Sequence, residues 1–420
     1  MTQAPNICTT PLAPVLSGWS KIARAHQVTM PPAVFALSLA AFCIGTTEFI
    51  VSDILLPVSH DLMVSVPTAG LLVTGYAAGV AAGGPILGLL LGRVAVKPAI
   101  LAVMLLFAIG QLLCAIAPNY QLLLVARLVS ACGHGAFFGV GSIAVSQLVP
   151  TERRGAALSL FVGGITIANI LGLPAGTAIG NAFGWRIAFG CIAVMSVASV
   201  LAVLFTLPAR TKGEEEADAP LALQARQLLN HEVWLSYAII AIIMVGQVAF
   251  GTFQVAILTN VTGLDPVAEV PWFLLAGGAG AVVGMWLGGK GADWRPRTTI
   301  MIIVLGQIVC FAAMLVAIHS AVAVAFMLFV FAIVGFGFST PMQVRILHGA
   351  RAAPRLAATL VSTAYNIGIA IGALLGATLL SNGVSYATLP AAGIATSLVA
   401  TGTVLLSLWL DSRSSAEVAA

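Results

Sequence analysis

Charge is scarce in this sequence: 18 Lys and Arg with 14 Asp and Glu make up 8% of 420 residues. An ordinary soluble domain carries about 25%. The scarcity excludes a water-facing surface, which needs polar cover. With 60% hydrophobic residues and a mean hydropathy of +1.06, lipid is the solvent that tolerates this composition. Cysteine is also sparse. Cys8, Cys43, Cys114, Cys132, Cys191 and Cys310 form no C-x-x-C pair, and five of the six sit in apolar runs, which predicts buried thiols rather than metal ligands or disulfides. No His/Cys cluster has metal spacing and no G-x-S-x-G elbow is present. Gly284 to Lys290 reads G-x-x-x-x-G-K, but Gly291 stands where a P-loop needs Ser or Thr, and no strand precedes it. Neither ATP, a cofactor nor a metal is expected, and the chain is not expected to be an enzyme. The net charge of +4 is dispersed between apolar spans, so nucleic acid is not an expected partner either.

Long apolar runs are what the sequence has in abundance. A spanning helix needs roughly 20 apolar residues. Twelve such runs fall at 33–56, 68–91, 98–117, 120–148, 156–181, 185–208, 233–258, 270–289, 298–318, 320–343, 356–380 and 385–409. They are continuous, whereas a barrel would show short alternating segments, so the predicted fold is all-α. With the N-terminus placed inside, sixteen of the 18 basic residues fall on the inner side, from Lys21 and Arg24 to Arg413. Only Arg186 falls outside, and Arg127 lies within a span. This positive-inside bias places both termini in the cytoplasm of a protein in the inner, or plasma, membrane. Residues 1–30 read as a disordered tail without a cleavable signal, 31–208 as a first six-helix bundle, 209–232 as an acidic linker, 233–410 as a second bundle, and 411–420 as a tail. The halves echo each other at an offset of about 200 residues: Gly88–Arg93 with Gly289–Arg297, and Asn169 with Asn366. Duplicated six-helix units are an architecture of secondary transporters.

Ionisable groups within spans are functional candidates, because a charge in hydrocarbon costs several kcal/mol unless paired or hydrated. Glu48 lies about eight residues from the outer end of span one, roughly 12 Å deep, and Arg127 at a matching depth of roughly 10 Å in span four. An ion pair between them is geometrically open. His134 follows Arg127 by two turns and falls on the same face, as a substrate or proton ligand or as a hydrogen-bonded packing residue. Asp53, nearer the outer end, either simply reaches headgroup water or takes part in function. Span five carries Gly172, Pro174 and Gly176, which predict a kinked, closely packed helix. Gly368, Gly372 and Gly376 in span eleven predict another close-packing face. Uncharged polar residues with aromatics would suit a neutral or moderately amphipathic ligand: Phe138, Asn169, Gln247 and Gln254 (seven apart), Gln343 and Asn366.

These residues resemble the major facilitator superfamily, and within it the drug:proton antiporter branch with twelve spans. The similarity rests on Gly45-Thr46-Thr47-Glu48-Phe49, on Pro67 to Tyr76 opening span two, on Arg127 with His134 to Gly139, on Gly172 to Thr177, and on Gly184-Trp185-Arg186. It implies two pseudo-symmetric six-helix bundles around a central cavity lined by spans one, four, seven and ten. It implies proton coupling through Glu48 and Arg127, and export of a small molecule (drug, sugar or nucleoside-like) by alternating access. The loop after span two departs from the family pattern, with Gly92 where Asp is usual; Arg93 remains, and the second half keeps Asp293 with Arg297. Gating is therefore expected to lean on Asp293. A proton-coupled uptake symporter is the rival reading, and a non-transporting sensor a more distant one. The expected partners are substrate, protons and the bilayer, with the chain acting as a monomer.

Alkaline phosphatase, active only outside the cytoplasm, checks the topology. Fused after Ala420 it should be silent, and fused after Leu62 active. Activity at Ala420 would break the twelve-span count.

Overall fold

The computed structural model describes residues 30–209, 230–350 and 354–419, with side chains left aside at 354–356, 358–359 and 411–419. The tail 1–29, most of the linker (210–229) and residues 351–353 lie outside the described residues, and with them the basic residues Lys21, Arg24, Arg210, Lys212, Arg226 and Arg351. Every regular element among the described residues is helical. Twelve helices are long and apolar enough to cross a membrane: Pro32–Asp53, Val66–Leu91, Val96–Ala115, Tyr120–Leu148, Thr151–Phe183, Trp185–Thr206, His231–Asn260, Val270–Trp294, Pro296–Ala317, Ala321–Gly349, Leu360–Ser381 and Tyr386–Leu410. Lipid-exposed backbone must bond to itself, which a continuous helix does. Side chains cap several helix starts. Ser65 accepts from Thr68 N at 3.2 Å, and Asn119 from Leu122 N at 2.9 Å. The Lys97 ammonium donates to the carbonyls of Leu204 and Leu207 and so closes the C-terminus of span six.

Several spans are jointed where the sequence predicts continuous runs. Proline is the cause in three. It has no N–H to give the carbonyl four residues back. Pro57 leaves Asp53 unbonded, and span one ends at Asp53 with a short helix, Leu55–Asp61, beyond it. Pro341 does the same to Gly337, and span ten divides into Ala321–Gly337 and Ser339–Gly349. Pro174 sits just after a π-helical turn, Ala168–Gly172, that interrupts span five. Span seven also divides, into His231–Gly251 and Gln254–Asn260. Spans one and seven thus share a design, a long helix and then a seven-residue one, as expected of two repeated halves. The final helix runs through Ala419, so the expected tail at 411–420 continues the helix instead of leaving it. Cys191 departs from the expectation of buried thiols and is exposed.

Glycine seams bring backbones together. Alanine Cβ atoms at Gly280, Gly284 and Gly288 of span eight would lie 2.2, 2.3 and 2.0 Å from the carbonyl oxygens of Phe329, Ile333 and Gly337 in span ten. The predicted face of span eleven behaves likewise: Gly368, Gly372 and Gly376 rest on the carbonyls of Ala241, Val245 and Ala249 in span seven. Between the halves, span two lies along span eleven and span five along span eight. The end of the bundle that carries Arg186 is closed by such contacts. Gly70 abuts Phe253, and Asn181 Nδ2 donates to the Pro266 carbonyl at 3.0 Å. This is called the distal end below. The opposite, basic end carries Arg93, Lys290 and Arg297.

Gly288→Ala is expected to lower the melting temperature of the detergent-purified protein, at a cost of about 1–3 kcal/mol, the usual range for overpacking. Gly289→Ala, whose Cβ would meet nothing within 4 Å, should leave it unchanged or slightly higher. Equal losses in both variants would refute the seam.

Candidate functional site

Arg127 is fully buried in the middle of the first half. Its Nη1 donates to the Thr47 carbonyl at 3.0 Å, and its guanidinium carbon lies 3.8 Å from the centre of the Tyr76 ring. Thr47 can accept this bond because a helical carbonyl has a second lone pair beyond the one its helix uses. The direct ion pair with Glu48 that the matching depths left open is not formed. Arg127 holds the backbone of the adjacent residue instead, while the two charges remain within electrostatic reach of each other. Glu48 itself is half-buried. Arg127 Nε and Nη2 have no protein partner. A stacked aromatic face and one carbonyl satisfy a buried guanidinium only in part, so donor capacity is left facing the site.

Tyr76 and His134 extend this cluster. The Tyr76 hydroxyl and His134 Nδ1 are 3.2 Å apart, and the imidazole meets Phe138 edge-on at 5.8 Å. Phe138 in turn packs with Phe137 and Phe161. His134 is thus both hydrogen-bonded and packed, one residue removed from Arg127 through Tyr76. The role of Tyr76 was not evident from the sequence, although it stands in the conspicuous Pro67–Tyr76 stretch.

The span-five motif seats on span one. A Cβ at Gly172 would strike Thr46 Oγ1 at 2.2 Å, and one at Gly176 would strike Ile50 at 2.5 Å. Thr177 Oγ1 donates to Asp53 Oδ2 at 3.2 Å. Asp53 is therefore covered by span five, with 7% exposure, and does not reach headgroup water. The π-helical turn before the motif is also where the halves meet: a Cβ on Gly278 of span eight would lie 2.8 Å from the Asn169 carbonyl.

The remaining candidates are dispersed. Asn169 and Asn366 are equivalent in the two halves, since each Nδ2 donates at 3.0 Å to the carbonyl four residues back in its own helix. Asn366 Oδ1 is left without a protein partner. Gln247 Nε2 donates to the Gly335 carbonyl of span ten at 3.1 Å. Gln254 stands on a separate helix, beyond the break of span seven at Thr252–Phe253. Gln343 is exposed beyond the break in span ten, away from Gln247. Arg93, Asp293 and Arg297 are exposed at the basic end. Two buried glutamines escaped sequence reasoning. Gln111 and Gln307 occupy matching Gly-Gln-x-x-Cys stretches, Gly110–Cys114 and Gly306–Cys310, and neither amide has a protein partner. The repeat itself was the available signal.

At the distal end the Gly184-Trp185-Arg186 stretch has a structural task. Gly184 takes φ +96°, a left-handed turn between spans five and six that suits glycine. Trp185 Nε1 donates to Asp61 Oδ2 at 3.1 Å, Arg186 Nη1 donates to the same oxygen, and Arg186 Nη2 donates to the Ala117 carbonyl at 2.9 Å. The Arg186 hydrogen bond holds the Asp61 carboxyl below the ordinary carboxylate range.

Twelve apolar helices in two repeated halves, with a buried arginine and imidazole and a half-buried carboxylate within the first, define a multi-pass membrane transporter. The chain belongs to the Major Facilitator Superfamily, whose model matches residues 37–359. It is 32% identical to the inner membrane transport protein YdhP of Escherichia coli K12, over 91% of this chain and 97% of that protein. It is 30% identical to the putative transporter AraJ of the same strain (86% and 92% covered), and 28% identical to a chloramphenicol resistance protein of Streptomyces lividans (84% and 90%). A bacterial homologue of the human lysosomal transporter Spinster shares the fold with a TM-score of 0.74 at 17% identity, over 89% of this chain and 96% of that one.

Because folding depresses the Asp61 carboxyl, its stabilisation is present above the unfolded value of about 4 and lost as pH falls through the folded value. Both partners are partly exposed, 37% and 46%, so the pair is worth less than about 1 kcal/mol. Asp61→Asn should lower the melting temperature slightly at neutral pH, and the difference should shrink as pH falls below about 4 and vanish below the folded value. A difference that persists in acid would point to packing instead.

Proposed function

We propose that this transporter exports a small, largely uncharged organic molecule in exchange for protons, with Glu48 and Arg127 as the coupling site. The carrying observation is the Arg127 guanidinium, buried and anchored to the Thr47 carbonyl beside Glu48 with two donor nitrogens unengaged. In this reading Glu48 binds a proton when Arg127 stays on Thr47, and releases it when the free donors turn to the carboxylate. Substrate and proton then alternate, because one site serves both. The named role of the Streptomyces lividans relative, chloramphenicol resistance, supports outward movement of an uncharged aromatic compound. The orientation proposed is the one the basic residues favour: basic end and both termini cytoplasmic, distal end outside. Residues 31–208 and 233–410 act as the two moving bundles, joined by 209–232. Span five, jointed at Ala168–Gly172 where it touches span eight, is the bending element of the interface. Asn169, Gln247 and Asn366 supply polar contacts to the substrate path, and Asp293 with Arg297 serves the cytoplasmic gate.

Everted vesicles test this with chloramphenicol as the probe. An acid lumen should drive its accumulation, and Glu48→Gln should abolish accumulation while leaving downhill exchange. Accumulation that requires an alkaline lumen would mean symport, and undiminished uphill transport by Glu48→Gln would remove Glu48 from the coupling site.

A further inference from the structure

Asp53 is a buried carboxyl that the proposed coupling site does not use. It closes span one five residues beyond Glu48, is 7% exposed, and has a single hydrogen bond, from Thr177. It takes part in no ion pair among the described residues. The charged and titratable groups of the elements around it are engaged elsewhere or lie deeper. The outer half of span five, Leu173–Phe183, and the short helix Gln254–Asn260 bring none. Arg186 of span six holds Asp61, which ends the helix Leu55–Asp61 beside His60. Tyr76 of span two and Arg127 and His134 of span four form the cluster around Thr47 and Glu48. An ionised carboxylate with one hydroxyl donor and no cation costs several kcal/mol at such a place. A neutral carboxyl there needs only the bond it has.

The cover over Asp53 is Leu173–Phe183, which follows the π-helical turn, and its far end reaches the other half through the Asn181 bond to Pro266. Ionising Asp53 requires water, and water requires that this cover lift. We propose that Asp53 is a second proton-binding group, which holds its proton while the distal end is shut and gives it up to water on that side only when the outer half of span five moves away. The exchange is a simple proton transfer, the O–H bond of the carboxyl breaking as a water molecule takes the proton, and the reverse on closing. Within the export cycle proposed above, closing the distal end would then consume one proton besides the one carried by Glu48. The binding itself does not depend on the direction of transport.

Two measurements on the full-length protein in nanodiscs, without substrate, test this. Spin labels at Met63 and Val267, exposed on the two halves, report the distal opening in a background with the native cysteines replaced. The wild-type distance should lengthen as pH rises, and Asp53→Asn should stay short throughout. Infrared difference spectra across the same titration should show a carboxylic acid C=O stretch that Asp53→Asn removes. If Asp53→Asn does not fold, Asp53→Glu should shift that band. A wild-type distance indifferent to pH, an Asp53→Asn protein that opens like the wild type, or a band unchanged by either substitution overturns the proposal. Because no substrate is present, these outcomes are separate from the vesicle test of export.

Discussion

Hydrocarbon offers a peptide group no hydrogen-bond partner, and the rest of the structure follows from that constraint. Twelve segments bond their backbones internally and cross as helices. At Pro57, Pro174 and Pro341 proline withholds a bond and the helix breaks or widens, whereas the helix of span two continues through Pro85. The freed carbonyl region at Gly337 rests on Gly288, and the π-helical turn of span five rests on Gly278.

Lipid also removes the hydrophobic drive that would press one apolar helix onto another, so packing depends on close approach. Glycine supplies it. The seams of span eight on span ten and of span eleven on span seven bind helices within the second half, and Gly172 and Gly176 bind span five to span one in the first. Between the halves, span two lies along span eleven, and Gly70 meets Phe253, Asn181 meets Pro266 and Gly278 meets Asn169.

The polar groups obey the same economy. Arg127 shows how a cation survives in the interior: an aromatic face from Tyr76, a spare carbonyl lone pair from Thr47, and a carboxylate within electrostatic reach but not in contact. Asp53 shows the complementary case of an acid held by a single hydroxyl. Neither arrangement is closed. Each leaves polar capacity unused, which distinguishes both from the Asp61–Trp185–Arg186 cluster at the surface, whose donors and acceptor are matched.

Spacing and composition alone determined the number of spans, the helical class, the duplicated halves and the depth of Glu48 and Arg127, because all of these depend on transfer of local segments into lipid and on a rise per residue that every helix shares. The same local logic reached the seams of spans five and eleven, since small residues at four-residue spacing mark a close-packed face wherever the helix goes. What only the tertiary structure decided is which groups meet across helices. Depth matched Glu48 to Arg127 but could not say that the guanidinium would choose the neighbouring carbonyl. Distance from the span end left Asp53 open to water, whereas Thr177, more than a hundred residues away, covers it. Seven-residue spacing put Gln247 and Gln254 on one face until the break between them separated the two. Position along a helix is a property of the chain, but the partner of a buried polar group is chosen by the neighbouring helices, and that choice is written in their packing.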